Sequence, residues 1–190
     1  MPVHHFSIPG HATRRDFAIY IAVANRREGP EVKLYVGKTG DNRDGCNPVI
    51  SRAGNHFSFN KIHSQVRNKL GAPPHEFDFE YFYVSFEPYD VADADRRSKV
   101  DTVNEMERQA NVWLQQELPR DDRVILMNPH KNARRLSAED REARARLAST
   151  DRIQILRELV ADALQHVAGL LPGATNNAMD PAAPSGRGSS

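Results

Sequence analysis

The sequence contains a single cysteine, Cys46, among 190 residues, so an internal disulfide framework and a cysteine-rich zinc site are excluded. Such low cysteine usage is typical of a reducing compartment, and we expect a cytoplasmic protein. No apolar run approaches the roughly 20 residues that a membrane-spanning helix needs. The first residues also lack the apolar core of a secretory signal, so we expect no membrane association.

Neither sign of charge is in excess. The chain has 26 lysine and arginine residues against 25 aspartate and glutamate residues, a formal net charge of +1. Net charge therefore indicates no particular partner, and a protein of this composition that binds a polyanion must gather its basic residues on one face. The 39% hydrophobic and 27% charged residues are typical of a globular chain with a modest core.

Short apolar runs and helical periodicities predict an α+β (α/β) fold. Strands are expected at residues 17–24 and 32–37, joined as a hairpin, and at residues 75–86, where aromatic residues alternate. A short strand follows at 123–128. Helices are predicted from Asn47 or Pro48, with an interruption at Gly54 and Asn55, and at residues 62–70, 99–118 and 152–171. We expect a central three-stranded, mainly antiparallel sheet flanked by helices.

Composition divides the chain into four parts. Residues 1–16 are predicted to be a flexible arm, and residues 17–132 a small α+β domain. Residues 133–171 form a helical extension ending in an amphipathic helix. Residues 172–190 are rich in proline, glycine, serine and alanine, and we expect them to be disordered.

The stretch "YVGKTG" places Gly37, Lys38 and Thr39 directly after a strand, which suggests phosphate binding. A nucleotide-binding P-loop is excluded by spacing, because it requires a second glycine where this chain has Val32. No clear helix follows Thr39 either. A nucleic acid phosphate is the alternative ligand.

A wider pattern supports that alternative. "AIY" in the first strand and "YVG" in the second precede an arginine and a histidine at helical spacing, a glutamate on a later helix and an asparagine after the last strand. This order resembles the GIY-YIG nuclease superfamily over residues 17–128, with Ala18 in place of the first glycine. The matching positions are Tyr20, Tyr35, Arg52, His56, Glu107 and Asn128.

The resemblance implies a DNA endonuclease with one divalent ion, Mg²⁺ or Mn²⁺, held chiefly by Glu107. Arg52 would contact phosphate oxygens, and Arg43 is its rival; Arg52 is preferred because His56 follows one helical turn later. Tyr20 is the first choice for positioning or deprotonating the attacking water. Tyr35 and His56 would complete the relay of protons and hydrogen bonds. The backbone of Gly37 and the side chains of Lys38, Lys61 and Asn128 are the expected DNA contacts.

The choice of glutamate also follows from helical rotation. At 100° per residue Glu107 falls at the edge of the apolar face of helix 99–118, whereas Glu105 points nearly the opposite way, toward solvent. A carboxylate on a packed face needs a cation, so Glu107 is the predicted metal ligand and Glu117 ranks second. The alternative is a structural salt bridge from Glu107 to Arg52 or Lys61.

Two other classes of function remain open. The chain could be a nucleic-acid-binding module without turnover, which a Glu107 locked into an arginine pair would favour. It could also be an interaction protein acting through its final helix. The stripe on that helix has near-heptad spacing, compatible with a homodimer, although packing onto the chain's own domain explains it equally well.

Overall fold

The computed structural model describes residues 3–40, 46–60, 62–130, 139, 142–143, 146–147 and 149–171. Three predictions, for Arg43, for Lys61 and for the tail at 172–190, lie outside the described residues. None of the helices in the described part combines the length and apolar character needed to cross a bilayer.

The described part is an α+β fold, as predicted, built on one mixed sheet. Its strands are β1 (Asp16–Arg26), β2 (Val32–Lys38), β3 (Phe77–Pro88) and β4 (Val124–Leu126), in the order β3-β1-β2-β4. The long strand β1 lies at the centre and pairs antiparallel with both β2 and β3.

The three antiparallel strands of the predicted sheet are present, and the short strand predicted at 123–128 joins them as β4, parallel to β2. This pairing covers only Val32 to Leu34 of β2, and it is bounded by hydrogen bonds from Val32 N to Arg123 O and from Met127 N to Leu34 O. An apolar run of three paired residues carries no alternation that would indicate its partner or direction, so the sequence could not assign it.

Four α-helices cover the sheet in the described part: α1 (Val49–His56), α2 (Gln65–Leu70), α3 (Arg96–Glu117) and α4 (Thr150–Leu170). The predicted interruption of α1 at Gly54 and Asn55 is wrong, since the helix continues to His56. Helix α2 is shorter than predicted, and it ends as expected at Gly71, whose φ of 72° is left-handed.

The two faces of the sheet carry separate cores. One face presents alternate β1 residues such as Ile19 and Ile21 to α3 and α4. The other presents Tyr20 and Ala22 to α1 and α2. The buried residues of α4 belong to the first core, so this helix packs on its own sheet; they are Leu156, Leu159, Val160, Ala163 and Val167.

Gly37 is required by the close approach of a buried phenol ring. It pairs with Tyr20 across β1 and β2, and a Cβ added at Gly37 would lie 2.2 Å from both Cζ and Oη of Tyr20. Both residues are buried among strands, so neither the backbone nor the ring can move away easily.

We therefore expect Gly37→Ala to lower the free energy of unfolding by about 1–3 kcal/mol through overpacking, measured by urea denaturation. Gly54→Ala is the matched control, because a Cβ there meets nothing within 4 Å and alanine favours the helix. A Gly37→Ala protein as stable as the wild type would contradict the packing described here.

Candidate active site

Tyr20 and His56 form a buried hydrogen-bonded pair at the centre of the candidate site. Tyr20 extends from β1 across Gly37, and its Oη lies 2.5 Å from Nε2 of His56 at the end of α1. The Tyr20 side chain is completely buried, and His56 is 2% exposed. Burial raises the pKa of Tyr20 well above its ordinary value; Arg52 opposes this shift, while Tyr35, Tyr81 and Glu107 add to it.

Three of the other predicted residues adjoin this pair. The Tyr35 ring meets the His56 ring edge-on, with centroids 5.0 Å apart. Arg52 lies one turn before His56 on α1, and its charge influences the pKa of both Tyr20 and His56. Glu107, from α3, is close enough to raise the pKa of Tyr20. The fold thus brings together Tyr20, Tyr35, Arg52, His56 and Glu107.

Arg52 has a buried donor without an acceptor. Its Nε has no hydrogen-bond partner within the described part of the chain, although the residue as a whole is half-buried. Leaving such a group unpaired costs free energy, so an acceptor that reached Nε would be bound favourably. His56 Nδ1 is likewise buried and unpaired within the described residues.

Burial, and secondly the charge of Arg52, lower the pKa of His56 to about 4 from its ordinary value near 6.5. Between pH 6.5 and 4, His56 is therefore protonated in the unfolded chain and neutral in the folded chain. The stability contributed by neutral His56 is complete above pH 6.5 and is lost as the pH falls toward 4, by about 3 kcal/mol in all.

We expect this loss to be absent from His56→Gln, which has no imidazole to protonate. Urea denaturation of both proteins between pH 7.5 and 4 would measure it, with exposed His63→Gln as control. Parallel pH profiles for the wild type and His56→Gln would show that His56 does not have a lowered pKa.

Glu107 forms an ion pair with Lys38. Lys38 Nζ contacts Oε2 of Glu107, and both side chains are largely covered, with 15% and 27% of their surfaces exposed. The carboxylate is thus balanced by the lysine that follows Gly37, a partner that the salt-bridge alternative did not name.

The predicted orientation of Glu105 is wrong. Its side chain is buried, with the residue 3% exposed, and it binds Arg108 and Gln109 within α3. Helix α3 packs against both the sheet and α4, so a wider arc of the helix is covered than the single apolar face expected from its periodicity. Glu117, the second-ranked candidate, is exposed and pairs with Arg157 on α4.

A polar cleft of about 420 Å³ opens beside Glu107 and Lys38. Its other lining residues were missed by the sequence analysis: Asn104, Arg108, Asn111, Pro129 and His130. Asn104 and Asn111 could have been found, because they lie three residues before and four residues after Glu107 and therefore share its side of the helix. The cleft presents amide and charged groups next to the candidate metal ligand.

Asn128, which follows β4, uses its side-chain amide to extend the hydrogen bonding along β2. Its Oδ1 accepts from Val36 N at 3.0 Å, its Nδ2 donates to Val36 O at 2.8 Å, and its own carbonyl accepts from Asn111. The amide thus imitates a strand partner for β2 while also lining the cleft. This placement ties the position of Asn128 to β2.

The glycine-lysine-threonine turn is held by Thr39. The Thr39 hydroxyl accepts from Ala18 N at 2.9 Å and donates to Asp16 O at 2.5 Å, and the residue is buried. Gly40 follows with a φ of 95° and a Cβ position blocked by Phe17. Thr39 and Gly40 therefore shape the turn, and Lys38 beside them is its charged residue, with its ammonium on Glu107.

Glu107 is the carboxylate available to a metal ion in the cleft. Among the described residues, no group of three or more histidine, cysteine, aspartate or glutamate side chains is arranged to hold a metal. A single carboxylate with neighbouring amides suits a hard ion that keeps most of its water ligands, as Mg²⁺ does. Such an ion would share Glu107 with Lys38 or displace it.

Comparison with known proteins adds no family assignment. A scan against protein-family models, a search of curated proteins and a search of solved structures found no match to this chain.

Proposed function

We propose that the protein is a metal-dependent DNA endonuclease with a GIY-YIG-type site, which hydrolyses phosphodiester bonds. The observation that carries the proposal is the Tyr20–His56 hydrogen bond, with Arg52 and Glu107 both close enough to shift the pKa of Tyr20. These side chains come from β1, α1 and α3, so their meeting is a property of the fold rather than of local sequence.

Arg52 binds the scissile phosphate in this proposal. A guanidinium offers several N–H donors in a plane that matches phosphate oxygens, and the unpaired, buried Nε lacks an acceptor in the described residues. A phosphate oxygen would satisfy this donor and bring the phosphorus next to the tyrosines. Lys38, the last residue of β2, adds positive charge without reading sequence.

Tyr20 acts as a hydrogen-bond donor and not as the base. Its raised pKa keeps the proton on the phenol, and a neutral His56 imidazole that carries its proton on Nδ1 would offer Nε2 as the acceptor. The pair fixes the ring of His56 and, through their edge-on contact, the ring of Tyr35. Tyr35, which is 9% exposed, is then the phenol that can position the attacking water.

Glu107 would hold Mg²⁺ or Mn²⁺ at the mouth of the cleft. When bound, the ion supplies Lewis-acid stabilisation of charge on the phosphate and the leaving oxygen. The protein's own part is to present the carboxylate on a rigid helix and to keep Lys38 nearby as a counter-charge. The neighbouring Asn104 and Asn111 line the space in which the ion's water ligands would lie.

A non-catalytic nucleic-acid-binding module is the second candidate. The Lys38–Glu107 ion pair favours it, because a carboxylate neutralised by lysine has less need of a metal ion. A homodimer through α4 also stays a prediction, although the apolar residues of that helix are used within the chain.

Incubation of the wild-type protein with supercoiled plasmid and with single-stranded DNA tests the proposal. We expect cleavage of at least one substrate with Mg²⁺ or Mn²⁺ and none with a chelator. Binding without cleavage under every metal condition would favour the non-catalytic module instead.

A further inference from the structure

The loop between α1 and α2 exposes two large apolar side chains. Phe59 is 91% exposed and Ile62 is 74% exposed, although both follow directly from the helix that carries Arg52 and His56. Isolated apolar residues on a surface are ordinary. Two large ones this close in sequence, just after the helix that carries Arg52 and His56, are less common. We define Phe59 and Ile62 as the apolar tip.

The apolar tip stands on a tightly hydrogen-bonded loop. Buried Ser64 donates to Asn60 O at 2.5 Å and shares a hydrogen bond with the Ser58 hydroxyl at 2.9 Å. The Asn60 side chain accepts from Ile62 N at 2.8 Å. These bonds hold Ser58 and Asn60, the neighbours of Phe59, so less entropy is lost when a ligand binds at that ring.

Arg67 supports one face of the Phe59 ring. Its guanidinium carbon lies 4.3 Å from the ring centroid, and its Nη1 donates to Ser58 O at 2.7 Å. The ring is thereby oriented by a cation–π contact while most of its surface stays open to solvent. An aromatic ring backed by arginine is a platform on which a nucleobase can stack.

The sequence around the apolar tip carries basic and no acidic side chains. It contains no aspartate or glutamate from Cys46 to His75, a stretch that carries Arg52, Arg67 and Lys69 together with three histidines. Of these residues, Arg67 contacts the tip directly. Arg26 and Arg27, by contrast, are paired with Glu76 and Asp78.

We propose that the exposed Phe59 ring, backed by Arg67, stacks on an unpaired base of nucleic acid. The inference rests on the proposed function and specifies its substrate: single-stranded DNA, or DNA with unpaired bases, is bound in preference to intact duplex. Charge complementarity and the fixed aromatic platform select a nucleic acid over an apolar protein surface.

Fluorescence anisotropy of a labelled oligothymidine strand and of a labelled duplex, both with chelator present, tests this inference without any cleavage. We expect Phe59→Ala to weaken single-strand binding about 5- to 100-fold, and duplex binding much less. Phe59→Trp should restore affinity, because it keeps a stacking ring.

Val91→Ala is the matched control, since Val91 is 62% exposed and lies far along the chain. Single-strand affinity unchanged in Phe59→Ala, or equally weakened in Val91→Ala, would overturn the stacking role. If Phe59→Ala loses single-strand binding and the wild type cleaves no DNA, the base-stacking role of Phe59 is supported and the nuclease proposal is rejected. If the wild type cleaves DNA and Phe59→Ala binds single strands as well as the wild type does, the nuclease proposal is supported and the stacking role is rejected.

Discussion

Replacing Arg52 with glutamine is expected to lower the rate of metal-dependent DNA cleavage by about 100- to 1000-fold, the effect typical of losing one transition-state donor. Arg52 is assigned to the phosphate because its Nε is buried and unpaired within the described residues. For the same reason the substitution removes no hydrogen bond at Nε, so the fold should stay intact.

The substitution has a second readout that does not depend on cleavage. The charge of Arg52 is one cause of the lowered pKa of His56, so Arg52→Gln should raise that pKa above its value of about 4. NMR titration of the His56 ring would measure the change, and exposed Arg97→Gln is the control for both experiments. Wild-type cleavage by Arg52→Gln would remove Arg52 from the site.

Replacing Glu107 with glutamine should have an equally large effect, through the metal rather than the phosphate. Glutamine keeps the size of the side chain and a hydrogen-bond acceptor for Lys38, but it loses the negative charge that a hard divalent ion requires. We expect cleavage to fall about 100-fold or more, and calorimetric binding of Mn²⁺ or Mg²⁺ to weaken in parallel.

Glu117→Gln is the appropriate control for this prediction. Glu117 lies on the same helix, was the rival candidate, and is exposed and paired with Arg157. Glu105 is unsuitable, because its buried carboxylate holds Arg108 and its loss would disturb α3 itself. Glu107→Gln and Glu117→Gln proteins with equal cleavage would show that neither the helical position nor the charge of Glu107 matters.

Strands β1 and β2 were predictable as apolar runs of strand length, and β3 from aromatic residues that recur with a period of two. The expected alternate residues Phe77, Phe79, Tyr81 and Tyr83 do share the face of the sheet that carries Tyr20. Strand β4 is too short to carry such a period, and its parallel pairing with β2 depends on the path of α3. The short strand itself was predicted, but its place and direction in the sheet needed the structure.

The sequence predicted which residues form the candidate site, but not how their side chains contact one another. The sequence places Arg52 and His56 one helical turn apart, and the structure has both on α1. It could not show that Gly37 makes room for the Tyr20 ring, because the register between β1 and β2 is set by the hairpin as a whole. Nor could it show the buried Glu105, since a helical rotation does not reveal how many elements pack around α3.

The most direct test of the central claim is the initial rate of plasmid nicking in Mg²⁺ for the wild type beside Arg52→Gln and Glu107→Gln. Our account predicts metal-dependent nicking by the wild type and rates lower by about 100-fold or more in both variants. Equal nicking by all three proteins would contradict it.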